Sequence, residues 1–272
     1  MVMSVNTNTG ALIALQNLTK TNRELEEVQK RISTGFKVNT AKDNGAVFAI
    51  AQNMRAEIGG LGAIQTALDR STSVVDVAIA AAESVSSLLI QMKELTVAAM
   101  DSSIDIDTRK ALSAGFIAMR QQITTIVESA EFNGSDLLQR TSSDLNVLLN
   151  DNGDTLTITA QDMSVSDGLA INASVLTSAG DANTARQAIE AAIQTVSNKL
   201  SALGTGSKSM DIHNVFVTKI SDSLTTGLGN LVDADLAKES ASLQALQIRQ
   251  QLGTQALSIA NSAPQQILAL FQ

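Results

Sequence analysis

Cysteine, tryptophan and tyrosine are all missing from this 272-residue sequence, and histidine and proline occur once each. Without cysteine there is no disulfide and no thiolate zinc site, and a lone histidine, His213, cannot anchor a multi-histidine metal centre. His213 falls on a helical apolar seam, where it reads as a satisfied core residue rather than a ligand. The single proline, Pro264, leaves nearly the whole chain free to be helical. Enzyme pockets usually recruit aromatic and histidine groups, whereas here 44% of residues are hydrophobic and only 2% aromatic. No Gly-x-Ser-x-Gly elbow, metal-ligand cluster or phosphate-binding loop occurs, and Gly59-Gly60-Leu61-Gly62 lacks the lysine and strand context of a P-loop. The sequence therefore reads as a non-enzyme with no cofactor. Residues 1–9 carry neither a charged leader nor an apolar stretch of the secretory kind. A run of about 20 apolar residues is absent as well, so no membrane insertion is expected.

What is present is aliphatic and unevenly charged. Residues 1–60 carry seven Lys/Arg against five Asp/Glu, and residues 234–272 carry two of each. With −8 overall, residues 61–233 hold −10. Nucleic acid needs a basic footprint, so an acidic middle argues against it and suits a solvated surface.

Helical periodicity dominates. Leu18, Leu25, Val28 and Ile32 step by seven, three and four, a coiled-coil-like stripe in a helix predicted to start near Ala11 after a Thr/Asn-rich lead able to cap it. Glu26 with Lys30 and Glu27 with Arg31 are i,i+4 pairs in the favourable order on its solvated face. Gly35 then stands where a helix end needs positive φ. A second helix is predicted from Ile64, Ala67, Ser71, Val74, Ala78, Ala81, Val85, Leu88, Met92, Leu95 and Ala99. At about 1.5 Å per residue this run alone spans on the order of 50 Å, more than a compact globule of this size holds, so an elongated bundle is expected. Leu112, Phe116, Met119, Ile123, Ile126 and Ala130 predict a third helix that folds back on the second.

Periodicity changes after Phe132-Asn133-Gly134. Residues 145–149 and 155–159 flank an Asn/Asp/Gly turn and predict a β-hairpin; 164–178 reads as one more short strand or only loop. A helical seam resumes with Ile189, Ala192, Val196, Leu203, Met210, Val217, Ile220 and Leu224, broken at Lys199, Gly206 and His213. Gly204 to Ser207 predicts a local irregularity, and residues 225–230 a break. The last segment places Leu236, Leu243, Leu246, Leu257, Ala260, Ile267 and Phe271 on one seam and is too apolar to stay in water alone. The fold class is thus mainly α: an elongated antiparallel bundle or coiled coil with paired terminal helices and a small β-hairpin. Two sticky ends on one chain suggest pairing with each other and with other copies, and heterologous contacts that do not close a ring build a helical filament.

Three stretches resemble bacterial flagellins, in a short, alphaproteobacterial-like form. Arg31-Ile32-Ser33-Thr34-Gly35 followed by Lys37-Val38-Asn39 and Ala41-Lys42-Asp43-Asn44 is similar to the family's first joint, with Val47 where the family usually has Gly or Ser. Phe132-Asn133-Gly134 with Leu137-Leu138 resembles its turn. Leu231 to Gly253 and Gln255 to Phe271 resemble its carboxyl end. The resemblance implies a filament subunit for swimming motility; a hook-filament junction protein with similar termini is the alternative. It implies an inner-tube domain of residues 1–43 and 233–272, an outer helical domain of 44–232 with the hairpin near 145–160, and no large additional outer domain. Expected interface residues are Leu18, Leu25, Ile32, Lys37, Lys42, Leu243, Leu246, Leu257 and Phe271. Expected partners are further copies of the chain, the flagellar export apparatus and chaperone, the filament cap and hook-junction proteins. The expected location is the extracellular filament, reached without a cleaved signal. The family's innate-receptor site corresponds here to Gln91, Leu95 and Gly115, where both of the family's charges are absent.

One isolated helix pair buries too little surface to offset its chain entropy, so both ends are expected to be disordered in the free monomer. Limited proteolysis checks this: rapid trimming in the monomer and protection in the assembled state are expected, and equal resistance in both contradicts it.

Overall fold

The computed structural model describes residues 7–172 and 174–269, with side chains described through Ser262. Phe271 lies outside the described residues. Among the described residues, five helices and four short strands follow in the order α1 (Thr9–Thr34), α2 (Gly45–Ala99), α3 (Ile106–Ser129), β1 (Glu131–Phe132), β2 (Ser135–Asp136), β3 (Leu145–Leu148), β4 (Thr155–Ile158), α4 (Ala179–Val232) and α5 (Leu236–Ala269). The chain divides into two compact units. One comprises the chain up to residue 56 and from 223 onward, the other 57–222, with the boundaries inside α2 and α4.

In the unit of residues 57–222, the α2 seam is Leu61, Ile64, Leu68, Ser71, Val75, Ala78, Ala82, Val85, Leu89, Met92, Thr96 and Ala99, all buried and stepping strictly by three and four. This corrects the expected stripe, because the half-buried positions 67, 81, 88 and 95 each lie one residue before a buried one. Ala and Leu flank the seam on both sides, so apolarity alone could not select between neighbours. The two polar seam residues return their hydroxyls to their own helix: Ser71 Oγ donates to the Ala67 carbonyl at 2.8 Å and Thr96 Oγ1 to that of Lys93 at 2.7 Å. Such back-bonding removes the cost of burying a free hydroxyl. By length and composition α2 is also apolar enough to cross a membrane, where no such helix was expected. Alanine, valine and leucine on a buried helix seam account for that apolarity.

Asp105 caps α3, its carboxylate accepting from the Thr108 amide at 2.9 Å, and Phe116, Ile123 and Val127 are buried. Arg109 reaches back to the end of α2, donating from Nε to the Ala99 carbonyl at 3.2 Å and from Nη2 to that of Asp101 at 2.9 Å. Beyond α3, Asn133 (φ 52°) and Gly134 (φ 78°) form the two-residue turn of the small β1–β2 pair. Asn-Gly suits such a turn because both central residues need positive φ. The pair is too short for alternation to have announced it.

The second hairpin stands where expected, with Leu145 opposite Ile158 and Leu148 opposite Thr155. Val147 and Ile158 are buried, while Thr157 donates to Asn146 on the other face at 2.8 Å. Residues 164–178 resolve as loop among the described residues.

The three interruptions of the α4 seam, spaced by seven, receive the hairpin and loop. Lys199 donates from Nζ to the carbonyls of Asp162 and Gly168. Gly206 faces Ile158, whose Cδ1 lies 3.1 Å from where a β-carbon would stand. His213 Nε2 meets the Leu149 carbonyl at 2.7 Å, so the ring donates from that nitrogen. His213 is thus a partly buried anchor, its ring tilted by 49° against that of Phe216 with centroids 5.9 Å apart. Burial lowers the Lys199 ammonium below its ordinary value, with the Asp162 charge opposing. Contrary to expectation, α4 runs unbroken through Gly204–Gly206 and Gly227–Gly229. Gly206 and Gly227 are places where a neighbour comes close, Ile158 in the first case and Met54 at 3.2 Å in the second. Packing outweighs the roughly 1 kcal/mol that each helical glycine costs relative to alanine.

Two glycines two residues apart therefore respond oppositely. A β-carbon at Gly204 meets nothing within 4 Å. Gly204→Ala is expected to stabilise by about 1 kcal/mol, and Gly206→Leu to destabilise by about 1–3 kcal/mol by overpacking against Ile158. Thermal unfolding of the two variants beside the parent checks both signs.

Candidate assembly surface

The joint between α1 and α2 is built from backbone pairing. Gly35 ends α1 at φ 74°, and its amide donates to the Arg31 carbonyl at 2.9 Å. The chain then runs beside residues 232–234. The Lys37 and Val38 amides donate to the Val232 carbonyl at 2.6 and 3.2 Å, the Ala234 amide donates to Gly35 at 2.9 Å, and Phe36 bridges Asp233. Val38, Ala51 and Val232 form a buried cluster beneath, ringed by Phe36, Val47, Phe48, Leu228 and Leu231. Val47, the departure from the family pattern, fills this ring.

Asp43 organises the turn that follows. Its Oδ2 accepts from the amides of Asn39 (3.1 Å) and Thr40 (2.9 Å) and from the Thr40 hydroxyl (3.1 Å), and Lys30 donates to Oδ1 at 3.0 Å. The Lys30 ammonium first, then the Thr40 and Asn39 donors, hold the Asp43 carboxyl far below the usual carboxylate range. Asn44 caps α2, accepting from the Val47 amide at 3.2 Å.

From the joint, α1 and α5 run together. Leu25, Val28 and Leu246 are their buried core, with Ile32 and Leu243 packed on it. Arg31 pairs with Glu239 at 3.3 Å, Gln250 donates to Asn22 at 2.9 Å, and Leu18 Cδ1 approaches to 3.2 Å of where Gly253 would carry a β-carbon. Of the expected interface residues, Leu18, Leu25, Ile32, Leu243 and Leu246 thus meet within one chain, and Leu257 is half-buried. Lys37 and Lys42 are exposed.

A second apolar set points outward. Leu12 (53% exposed), Ile13 (59%), Leu15 (49%), Leu236 (50%), Ile248 (57%), Leu252 (64%) and Ile259 (64%) lie off the α1–α5 seam. Sequence periodicity follows the seam and passes over Ile13, Ile248, Leu252 and Ile259, although aliphatic residues outside a seam are themselves a signal. Shallow hollows accompany them, one of about 450 Å³ lined by Thr7, Asn8, Ala11, Leu12, Leu15, Leu257 and Asn261. In the other unit, the receptor-site positions are partly gathered: a β-carbon at Gly115 would lie 3.6 Å from Leu95, and Gln91 is exposed one turn before Leu95. Among the described residues no group of three or more acidic or histidine side chains could hold a metal.

Comparison with known proteins agrees with this architecture. Residues 5–143 match the family model for the bacterial flagellin N-terminal helical region, and residues 186–271 that for the C-terminal helical region. Flagellin FljM of Caulobacter vibrioides is 49% identical, over 99% of this chain and 98% of its own. A flagellin of Brucella melitensis is 36% identical, over 99% of each. The crystal structure of Bacillus cereus flagellin shares the fold, with a TM-score of 0.51 at 24% identity over 55% of this chain and 87% of that one.

The Asp43 turn yields a pH dependence whose sign is fixed. A carboxyl depressed in the folded state contributes fully above its unfolded value of about 4 and loses that contribution as pH falls. In assembled filaments, where the chain ends are ordered, Asp43→Asn is expected to lower the melting temperature near neutral pH, with the gap to the parent narrowing as pH falls below about 4. Melting curves of both proteins across that range check it.

Proposed function

The chain belongs to the bacterial flagellins and is a structural subunit of the extracellular flagellar filament, and from that premise we propose that the outward apolar faces of α1 and α5 are where copies of it meet. The observation that carries this is the division of labour on the pair. Leu25, Val28 and Leu246 are used inside the chain, while Leu12, Ile13, Leu15, Leu236, Ile248, Leu252 and Ile259 stay about half exposed or more. Aliphatic surface of that extent is unfavourable in water unless another apolar face covers it. Identical subunits related by a rotation that does not close supply that cover indefinitely. The full-length similarity to flagellins disfavours the hook-filament junction alternative.

In this reading residues 1–43 and 233–272 form the inner tube and residues 44–232 the outer layer. Leu18 and Leu257 add to the tube's packing, and Lys37 and Lys42, both exposed, reach acidic residues of neighbouring subunits. The resemblance to the family further supports passage through the flagellar export apparatus with a chaperone, without a cleaved signal, and contact with filament cap and hook-junction proteins. It also supports weak detection by the innate receptor, because Gln91 and Gly115 stand where the family's recognised site carries charges.

Two outcomes are expected. Leu252→Glu and Ile259→Glu should abolish repolymerisation seen by electron microscopy while leaving the circular dichroism melt of the monomer unchanged; filaments formed at parental yield contradict the assignment. In a cell reporter assay the parent should activate weakly and the double variant Gln91→Arg, Gly115→Glu more strongly; equal signals contradict the receptor reading.

A further inference from the structure

Asn8 is bonded at both ends of its amide. Its Oδ1 accepts from the Ala11 amide at 3.0 Å, capping α1, and its Nδ2 donates to the Ala260 carbonyl of α5 at 2.7 Å, a contact between residues 252 apart in sequence. The Ala260 carbonyl is the one that Pro264 leaves free. In a helix that carbonyl would accept from the amide four residues on, residue 264, and a proline nitrogen carries no hydrogen. Helix α5 nevertheless continues through position 264 to Ala269.

The chemistry selects asparagine. Serine, threonine and aspartate cap a helix as well, but none of them accepts from an amide and donates to a carbonyl through two rigidly opposed atoms. The orientation of the amide follows from its partners, since only the oxygen can face the Ala11 N–H. Close packing holds the geometry: a β-carbon at Gly10 would stand 3.4 Å from Asn8 Oδ1 and 4.0 Å from Ala260 Cβ.

We propose that Asn8 and Pro264 together form a latch that holds the first turns of α1 in register against α5, at the end of the pair far from the joint. The joint and the Arg31–Glu239 and Asn22–Gln250 contacts set the register from one end of the pair, and at the other end a donor aimed at the carbonyl that Pro264 deprives of its helical amide matches that register only. Asn8 is thus a positioning residue. Resting on the assembly reading above, the latch sets where Leu12 and Leu15 stand relative to Ile259, and so presents them as one face.

The test is a double-substitution cycle in the full-length protein, with Asn8→Ser, Pro264→Ala and the pair. Serine keeps the cap but cannot reach Ala260, and alanine restores the amide that occupies the Ala260 carbonyl. Hydrogen exchange of the amides of residues 12–15, measured by mass spectrometry on assembled filaments, is the readout. Asn8→Ser is expected to speed exchange about fivefold with Pro264 present, the worth of one hydrogen bond, and to have almost no effect in the Pro264→Ala background. An equal effect in both backgrounds overturns the latch. If Asn8→Ser alone does not assemble, recovery of filaments in the double variant supports it and failure to recover overturns it. The glutamate variants at Leu252 and Ile259 test the assembly face separately, so loss of coupling with normal filaments refutes only the latch.

Discussion

The Val232 carbonyl, which accepts from two successive amides at Lys37 and Val38, is the contact on which the unit that holds both chain ends depends. Helices α1 and α5 come from opposite ends of the sequence, and Arg31 and Glu239 are 208 residues apart. Bringing such distant segments together costs loop-closure entropy. Once residues 35–38 are paired with 232–234, that cost is met, and the two helices start side by side from a common origin. Everything along the pair then follows as local zippering: the Arg31–Glu239 bridge, the Leu25, Val28 and Leu246 core, the Asn22–Gln250 contact and the close approach of Leu18 to Gly253.

Small residues have a second role throughout. Glycine inside a helix is a cost that only packing recovers, and at Gly206, Gly227 and Gly253 a side chain from another element lies within 3.2 Å of the missing β-carbon. Serine and threonine on helices return their hydroxyls to their own carbonyls, as Ser71 and Thr96 do in the α2 seam. Such residues pass as neutral filler, so a chain rich in Ala, Ser, Thr and Gly builds seams without aromatic anchors.

Much of this is legible in the sequence because helix periodicity is strong where the pattern is long. The α4 seam, the Gly35 joint, the 145–158 hairpin and the α1 cap can all be read. The α2 seam slips by one residue at 67, 81, 88 and 95, since alanine and leucine occur on both sides of it and burial there is decided by the partner, not by the residue. The glycines of α4 read as breaks because a sequence displays their cost and hides the neighbour that compensates. At the proposed assembly surface the signal is weaker. Leu25 and Leu246 read as interface residues, and within the chain they pack on each other, while Leu252 and Ile259, exposed and off the seam, carry no periodic signal. Lys199, Gly206 and His213 read as interruptions at heptad spacing, and only the fold reveals that the hairpin and loop dock there.

A chain without cysteine invites single-cysteine labelling, because any thiol introduced reports alone. The most direct measurement is the maleimide reactivity of Leu12→Cys, Ile248→Cys and Leu252→Cys before and after polymerisation. Thiols that react rapidly in the monomer and become protected in the filament are the result expected if the outward faces of α1 and α5 join the subunits. Thiols that label equally fast in both states would contradict it.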